Sequence, residues 1–239
     1  AAAKPRGILF DKDGTLFDYA KSWSAINLDA AWLASAGDPA LRTRLLERGG
    51  ADPETGLATA DTLLAAGNAA EIAAAWAAKG SPLDARELTL ALDRLFRDAV
   101  SRMVPVTDLQ ALFAKLKAHG ARIGIASSDG AAAVADTVRH FGLTEFVDFI
   151  AGYDSGHGYK PEAGMFTAFC SACGLHPSEV AMVGDNLHDM EMGRRGGAGW
   201  RIGVLTGTGT RQTLTAASDM VLESIADLEQ ALFGVRFSG

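Results

Sequence analysis

Short apolar runs recur along the chain, each stopping at or near a small or acidic residue. Six stand out: Gly7–Asp11 (GILFD), Ala121–Ser127 (ARIGIAS), Val147–Gly152 (VDFIAG), Val180–Asp185 (VAMVGD), Trp200–Thr206 (WRIGVLT) and Asp219–Leu222 (DMVL). They do not alternate polar with apolar positions. That pattern predicts strands buried on both faces, as in a parallel sheet covered by helices. Between them, Asp108–Gly120, Ala132–Gly142 and Pro161–Gly174 carry apolar residues at helical spacing, and each ends at a glycine, a common helix terminator. Strands alternating with helices predict an α/β fold with right-handed crossovers.

One interval breaks the alternation. From about Asp18 to Val100 no strand pattern is found. Tyr19–Gly37, Asp38–Gly50, Ala70–Gly80 and Leu83–Val100 all read as helices rich in Ala, Leu and Arg. The expectation is a core built from residues 1–17 and 101–239, with residues 18–100 inserted as an all-helical cap. Two thin connections, near residues 17 and 101, would join the parts. No fixed-period repeat or low-complexity linker interrupts the chain.

Composition narrows the partners. Of 239 residues, 48% are hydrophobic and 21% charged, enough to fill a core and unlike a disordered chain. Lys and Arg number 22 against 29 Asp and Glu, a net charge of -7, and no basic stripe is present, so no nucleic-acid partner is expected. No apolar stretch is long enough to span a bilayer, so no membrane partner is expected either. Two cysteines fit a reducing compartment better than a disulfide scaffold. The opening AAAKPRG lacks the apolar segment of a signal peptide. A cytoplasmic protein is expected.

Ligands of open parallel sheets sit beyond the carboxyl ends of the strands. The first run delivers Asp11 there, followed by Asp13 and Thr15; the second delivers Ser127, Ser128 and Asp129. The loop after the third carries Asp154 and Lys160, and the fourth ends at Asp185, with Asp189 four residues on. Singly, most of these read as caps or turns: SSDG as a turn, GDNLHD as an Asx turn opening a helix, Lys160 as a loop lysine. DKDGT differs, because two carboxylates lie within three residues at the end of a buried run. Crowded carboxylates repel one another. A hard divalent ion relieves this, and Mg2+ is the usual choice where waters and phosphate complete the shell. Gly14 permits a sharp turn directly after the pair.

Taken in order, DKDGTLFD, the Ser127 that follows RIGIA, the YKPE lysine and GDNLHD resemble the four motifs of the haloacid dehalogenase-like hydrolase superfamily. The resemblance spans nearly the whole chain, and the helical insertion is similar to that superfamily's cap. It implies a Rossmann-like parallel sheet and Mg2+-dependent hydrolysis of a small phosphorylated metabolite through an aspartyl-phosphate. By that resemblance Asp11 would be the nucleophile. Asp13 would be the acid and base, and Thr15 would support it. Ser127 and Lys160 would hold the transferring oxygens. Asp189 would position Lys160 or a metal-bound water. The ion would be held by the Asp11 carboxylate, the Asp13 backbone carbonyl and Asp185. The second Asp disfavours a dehalogenase, which expels halide without a proton. A P-type ATPase would need a Thr there and membrane helices. A β-phosphoglucomutase shares all four motifs but typically carries a histidine early in the cap, where this chain reads FDYAKSW. DGTLFD, GHGYKPE and the tail SDMVLESIADLEQAL look most like phosphoglycolate phosphatase-type members, although Tyr19 stands where many of those have Ser. From a different class, a receiver-type phospho-acceptor would place its Asp on another strand without such an insertion. A silent binding module would not need the intact acidic set.

Other features read as structural. Cys170 and Cys173 fall near a helix C-terminus, which works against a thiolate, and so read as small packed residues. His119 and His140 lie near helix ends, His188 is expected to face solvent, and His157 is not expected to touch substrate. GTGT at 207–210 lacks the spacing of a phosphate loop and reads as a turn. Lys21, Trp23, Arg42, Arg44 and Arg48 are the candidates in the insertion to meet a leaving group, or else lie on a solvated face.

Overall fold

The structure, a computed structural model, describes residues 4–234. Its sheet has six strands, all parallel: β1 (Gly7–Phe10), β2 (Arg122–Ala126), β3 (Phe149–Ala151), β4 (Val180–Gly184), β5 (Trp200–Val204) and β6 (Met220–Leu222). Each of the six apolar runs forms a strand, and Asp11, Ser127 and Asp185 fall just past a strand end. The order is β3-β2-β1-β4-β5-β6, a doubly wound sheet that reverses direction beside β1. Phe10 pairs with Ile125 on one side and Val183 on the other. The ends of β1, β2 and β4 are therefore level, and the residues after them share one rim.

Alternation within the strands feeds two faces. Leu9 and Met182 pack on one face, with Phe166 and Phe169 of α8 (Gly164–Cys173) and Met192 of α9 (Leu187–Gly196). Ile8, Phe10, Ile123 and Val183 pack on the other. They meet α6 (Leu109–Ala118), α7 (Ala131–His140) and α11 (Leu228–Phe233). The Phe10 ring stacks on Phe113 of α6 at 5.3 Å. A short helix, α10 (Arg211–Ala217), connects β5 to β6.

Between β1 and α6 the chain forms five helices: α1 (Tyr19–Ala34), α2 (Pro39–Gly49), α3 (Leu63–Ala66), α4 (Ala69–Ala78) and α5 (Ala85–Asp98). Helix starts are marked in the sequence. Asp38 caps α2, with Pro39 at its first position, and Asn68 and Asp84 form capping boxes with Glu71 and Glu87. The four residues of α3 are too few to show a helical period, so the sequence reading passes over them. The two connections run side by side: Asp18 N–H donates to Val104 O at 2.9 Å, and Val106 N–H to Leu16 O at 3.1 Å. The insertion also touches the α/β part directly. Tyr153 Oη donates to Asp93 of α5 at 3.0 Å, Arg97 pairs with Asp136 of α7, and Ser128 Oγ donates to Ala66 O at 3.2 Å. Among the described residues no helix is long and apolar enough to cross a membrane.

Candidate active site

Asp11 leaves β1 with its N–H still bonded to Val183 O of β4 (2.8 Å), which fixes its backbone between the two central strands. The residue is 5% exposed. One carboxylate oxygen pairs with Lys160 Nζ; the other is buried with no partner among the described residues. Lys160 also lies 2.7 Å from Asp189 Oδ1. Asp189 is fixed in turn, because its Oδ2 accepts the N–H groups of Asp185 (3.1 Å) and Asn186 (3.3 Å). Asp185 Oδ2 accepts the N–H of Thr208 at 2.8 Å, and its Oδ1 accepts Asn186 Nδ2 at 3.2 Å. Asn186 caps α9 through His188 and Asp189. The Asx turn expected of GDNLHD is thus present, and the same segment supplies two buried carboxylates.

Asp11, Asp185 and Asp189 bring carboxylate oxygens within 4.8 Å of one another, all buried. Burial pushes the Asp11 carboxyl up to about 7, against the pull of Lys160. Burial, followed by the charges of Asp11 and Asp189, raises Asp185 well above the usual carboxylate range. Burial also works against the Lys160 ammonium, but Asp11 and Asp189 outweigh it and hold the lysine above its ordinary value. One lysine does not balance three buried carboxylates. The surplus negative charge and the unpartnered Asp11 oxygen fit a bound divalent cation.

Asp13 sits apart from this cluster. Its carboxylate is gripped by Lys12 Nζ at 2.7 and 2.9 Å. Lys12 is only 1% exposed and also lies 2.8 Å from Asp129. Asp129 belongs to the Ser127 loop, where its N–H donates to Ser127 Oγ at 3.0 Å. Lys12 therefore ties the loop after β1 to the loop after β2. The sequence carries no signal for this pair: Lys12 lies between two carboxylates, and SSDG reads as a turn. Thr15 is fully buried, and its hydroxyl has no partner among the described residues, Asp13 included.

The GTGT segment does more than turn the chain. Besides the Thr208 contact, the Oγ1 of Thr206, the residue just before the segment, donates to Gly14 O at 2.7 Å. Gly14 has φ +86, and a Cβ there would lie 2.6 Å from Asp185 Oδ2 and 2.8 Å from Gly207 Cα. Both backbone conformation and space require glycine. Gly14→Ala is expected to displace Asp185, destabilise the fold by about 1–3 kcal/mol and weaken cation binding. Urea unfolding together with Mg2+ titration checks both effects.

The other expectations divide. Trp23 reaches the cavity over the rim, whereas Lys21 pairs with Asp18 near the surface, Arg42 donates to Pro53 O, and Arg44 and Arg48 are exposed. His188 departs from the solvent-facing expectation, since its Nδ1 is buried without a partner among the described residues. The residue as a whole is half-buried in the first turn of α9. His157 is exposed. Cys170 is a buried free thiol pushed up to about 11 by burial, which suits packing rather than redox chemistry.

The cavity has a volume of about 40 Å³ and lies between the insertion and the strand ends. A water needs roughly 10–15 Å³ of such space, so it admits a few waters or a group of similar size. Asp11, Asp13, Ser127 and Asp129 form its floor, and α1, α3, α4 and α5 supply the roof.

The chain is similar to known proteins in sequence and in fold. Over 237 residues the chain is 29% identical to the phosphoglycolate phosphatase of Yersinia pestis, covering 95% of this chain and 93% of that one. It is 28% identical over 194 residues to the N-acetylmuramic acid 6-phosphate phosphatase of Pseudomonas putida, covering 80% and 79%. Among solved structures, a hydrolase from Pseudomonas syringae shares the fold with a TM-score of 0.70 at 20% identity, covering 95% and 97%. Residues 5–197, which carry all four motifs and the insertion, match the haloacid dehalogenase-like hydrolase family profile: the chain belongs to that family of enzymes.

Proposed function

We propose that the protein is a Mg2+-dependent phosphatase that hydrolyses a small phosphorylated metabolite through a phosphorylated Asp11. The observation that carries this is the buried Asp11 carboxylate, one oxygen on Lys160 and the other without a partner among the described residues, at the floor of a cavity under the insertion. Asp11 attacks phosphorus in line, forming an O–P bond as the bond to the leaving oxygen breaks. Asp13, whose carboxylate also faces the cavity, gives a proton to that oxygen. It then takes one from the water that attacks the phosphorylated Asp11. Lys160 and Ser127 hold the transferring oxygens, and Asp189 fixes Lys160. Thr15 supports the loop that carries Asp13 through its backbone, whose N–H donates to Lys12 O at 3.4 Å. Asp11, Asp185 and the Asp13 backbone carbonyl would hold Mg2+, which would offset the phosphate charge that otherwise repels Asp11.

Residues 18–100 act as the cap and residues 1–17 and 101–239 as the core, with the paired connections at Leu16–Asp18 and Val104–Val106 as the hinge. Closure of the cap excludes water from the transfer step. Relatives named as phosphatases of phosphoglycolate and of a sugar phosphate support phosphate-ester chemistry on a small leaving group.

The test is phosphate release from a panel of phosphorylated metabolites, with Mg2+ and with EDTA. Activity surviving EDTA would contradict the proposal. Metal binding should also show in stability. Asp11 is raised to about 7 and Asp185 well above its ordinary value, so the folded metal-free protein holds protons that the unfolded chain releases. Its stability is then fullest below the unfolded carboxylate value near about 4 and falls as pH rises through about 7. Mg2+ needs the ionised carboxylates. Its upward shift of Tm is expected to grow from about pH 5 to about pH 8. A Mg2+ shift that is constant or shrinks with pH would count against this cluster as the site.

A further inference from the structure

The walls of the cavity state what kind of leaving group fits. The roof is made of Tyr19, Trp23, Leu64, Ile72 and Phe96, all buried and uncharged. Tyr19 and Trp23 stack with ring planes 11° apart, and Phe96 meets Trp23 edge-on at 5.0 Å. On the floor, beyond Asp11, the charged lining groups are Asp13 and Asp129. Among the described residues no Lys, Arg or His lines the cavity. The cation behind this floor is Lys12, and its ammonium already lies 2.7 and 2.8 Å from those two carboxylates. Lys12, Asp13 and Asp129 together carry a net negative charge, one cation against two anions. Lys160 is spent on Asp11 and Asp189, at the phosphoryl end.

Two wall residues keep unused hydrogen-bonding capacity. Trp23 Nε1 is a donor, and Asn27 Oδ1 an acceptor, without a partner among the described residues. The Asn27 amide orientation is fixed because its Nδ2 donates to Gly56 O at 2.9 Å and to Tyr19 Oη at 3.3 Å. A hydroxyl can accept from the first and donate to the second; a carboxylate can only accept.

We infer that the substrate is the phosphate ester of a small uncharged, hydroxylated alcohol, and that Asp129 is a specificity determinant excluding a carboxylate-bearing leaving group such as glycolate. An anion placed against a floor of net negative charge, under an apolar roof, is buried without a counter-charge. Asp129 contributes in two ways: it adds a negative charge and it occupies Lys12.

This inference rests on the phosphatase reading, and the test separates the two. Mg2+-dependent hydrolysis of p-nitrophenyl phosphate, lost in Asp11→Asn, reports the phosphatase reading alone. The specificity test compares kcat/KM for 2-hydroxyethyl phosphate and phosphoglycolate. These esters are nearly equal in size and differ in a hydroxymethyl against a carboxylate. Like charges brought together cost several kcal/mol, so the neutral ester is expected to lead by about 10²-fold. Asp129→Asn, which removes one charge and leaves Lys12 with Asp13 as its carboxylate partner, is expected to narrow that ratio at least about tenfold, mainly by lowering KM for phosphoglycolate. Ala65→Lys, at the half-buried edge of the cavity, gives an independent cation and should shift the ratio the same way. Circular dichroism checks that each variant folds. If p-nitrophenyl phosphate is hydrolysed while phosphoglycolate equals or exceeds the neutral ester, or neither ester is turned over, the inference is overturned and the phosphatase reading stands. If folded Asp129→Asn and Ala65→Lys both leave the ratio unchanged, the electrostatic account of the wall is wrong. If p-nitrophenyl phosphate is inert as well, both fall together.

Discussion

Asp11→Asn is expected to reduce turnover by about 10⁴-fold or more while leaving the fold intact. The size follows from removing the atom that forms the covalent bond, a loss that other groups of a catalytic unit do not replace. The intact fold follows from the local geometry. Asparagine has nearly the same shape, and Lys160 keeps Asp189 at 2.7 Å as a partner. The carboxyl of Asp11 is pushed up to about 7 chiefly by burial. At about pH 8 without metal it is ionised at a cost to the folded state, a cost the amide does not carry. The Tm of the metal-free variant at that pH should therefore equal or exceed that of the wild type. A variant that melts well below the wild type there would mean that Asp11 is a structural residue.

The second large effect concerns the proton carried by Asp13. A sugar or polyol alkoxide is a poor leaving group and needs a proton as the bond breaks, whereas nitrophenolate leaves readily without one. A positioned acid contributes about 10²–10⁴-fold. Asp13→Asn is expected to slow transfer from alkyl phosphates by that factor and from p-nitrophenyl phosphate much less. Rapid-mixing measurement of alcohol and nitrophenolate release, variant against wild type, checks it. Equal losses for both esters would leave Asp13 as a residue that only positions the loop. The grip of Lys12 on Asp13 gives that alternative a concrete form, so the comparison decides between two roles visible in one structure.

The α/β fold was legible because each strand is a continuous apolar run stopped by a polar residue, a local signal that survives without knowing any partner. The run ending at Asp11 lies at the centre of the sheet, where both faces and both edges are covered. The strand order was not legible, since pairing is set by packing across the whole chain. Asp11, Lys160, Asp185 and Asp189 could be singled out because each follows a strand or lies in the helix-opening turn beside one. Their mutual contacts could not, since Lys160 arrives from a loop 149 positions away from Asp11. Lys12 was hidden for a different reason. A lysine between two carboxylates reads as a surface charge, and only the fold shows that Asp129 comes round to bury it. The arginines of α2 illustrate the converse. Helical spacing cannot say which face meets a neighbour, and the face carrying Arg44 and Arg48 is turned to solvent. Thr208 reads as a turn former and Thr206 as the end of a strand, because their contacts are made to Asp185 and Gly14, outside the local pattern.

The central claim, that catalysis passes through a phosphorylated Asp11, is tested most directly by trapping the intermediate. Asp13→Asn should still accept a phosphoryl group from p-nitrophenyl phosphate yet be slow to activate the water that removes it. Rapid quench in acid followed by peptide mass spectrometry is predicted to find a phosphoryl group on the peptide Gly7–Phe17, localised to Asp11, in near-stoichiometric amount after one burst. The same peptide unmodified throughout a measured burst of nitrophenolate, or the phosphoryl group on any other residue, would contradict the account.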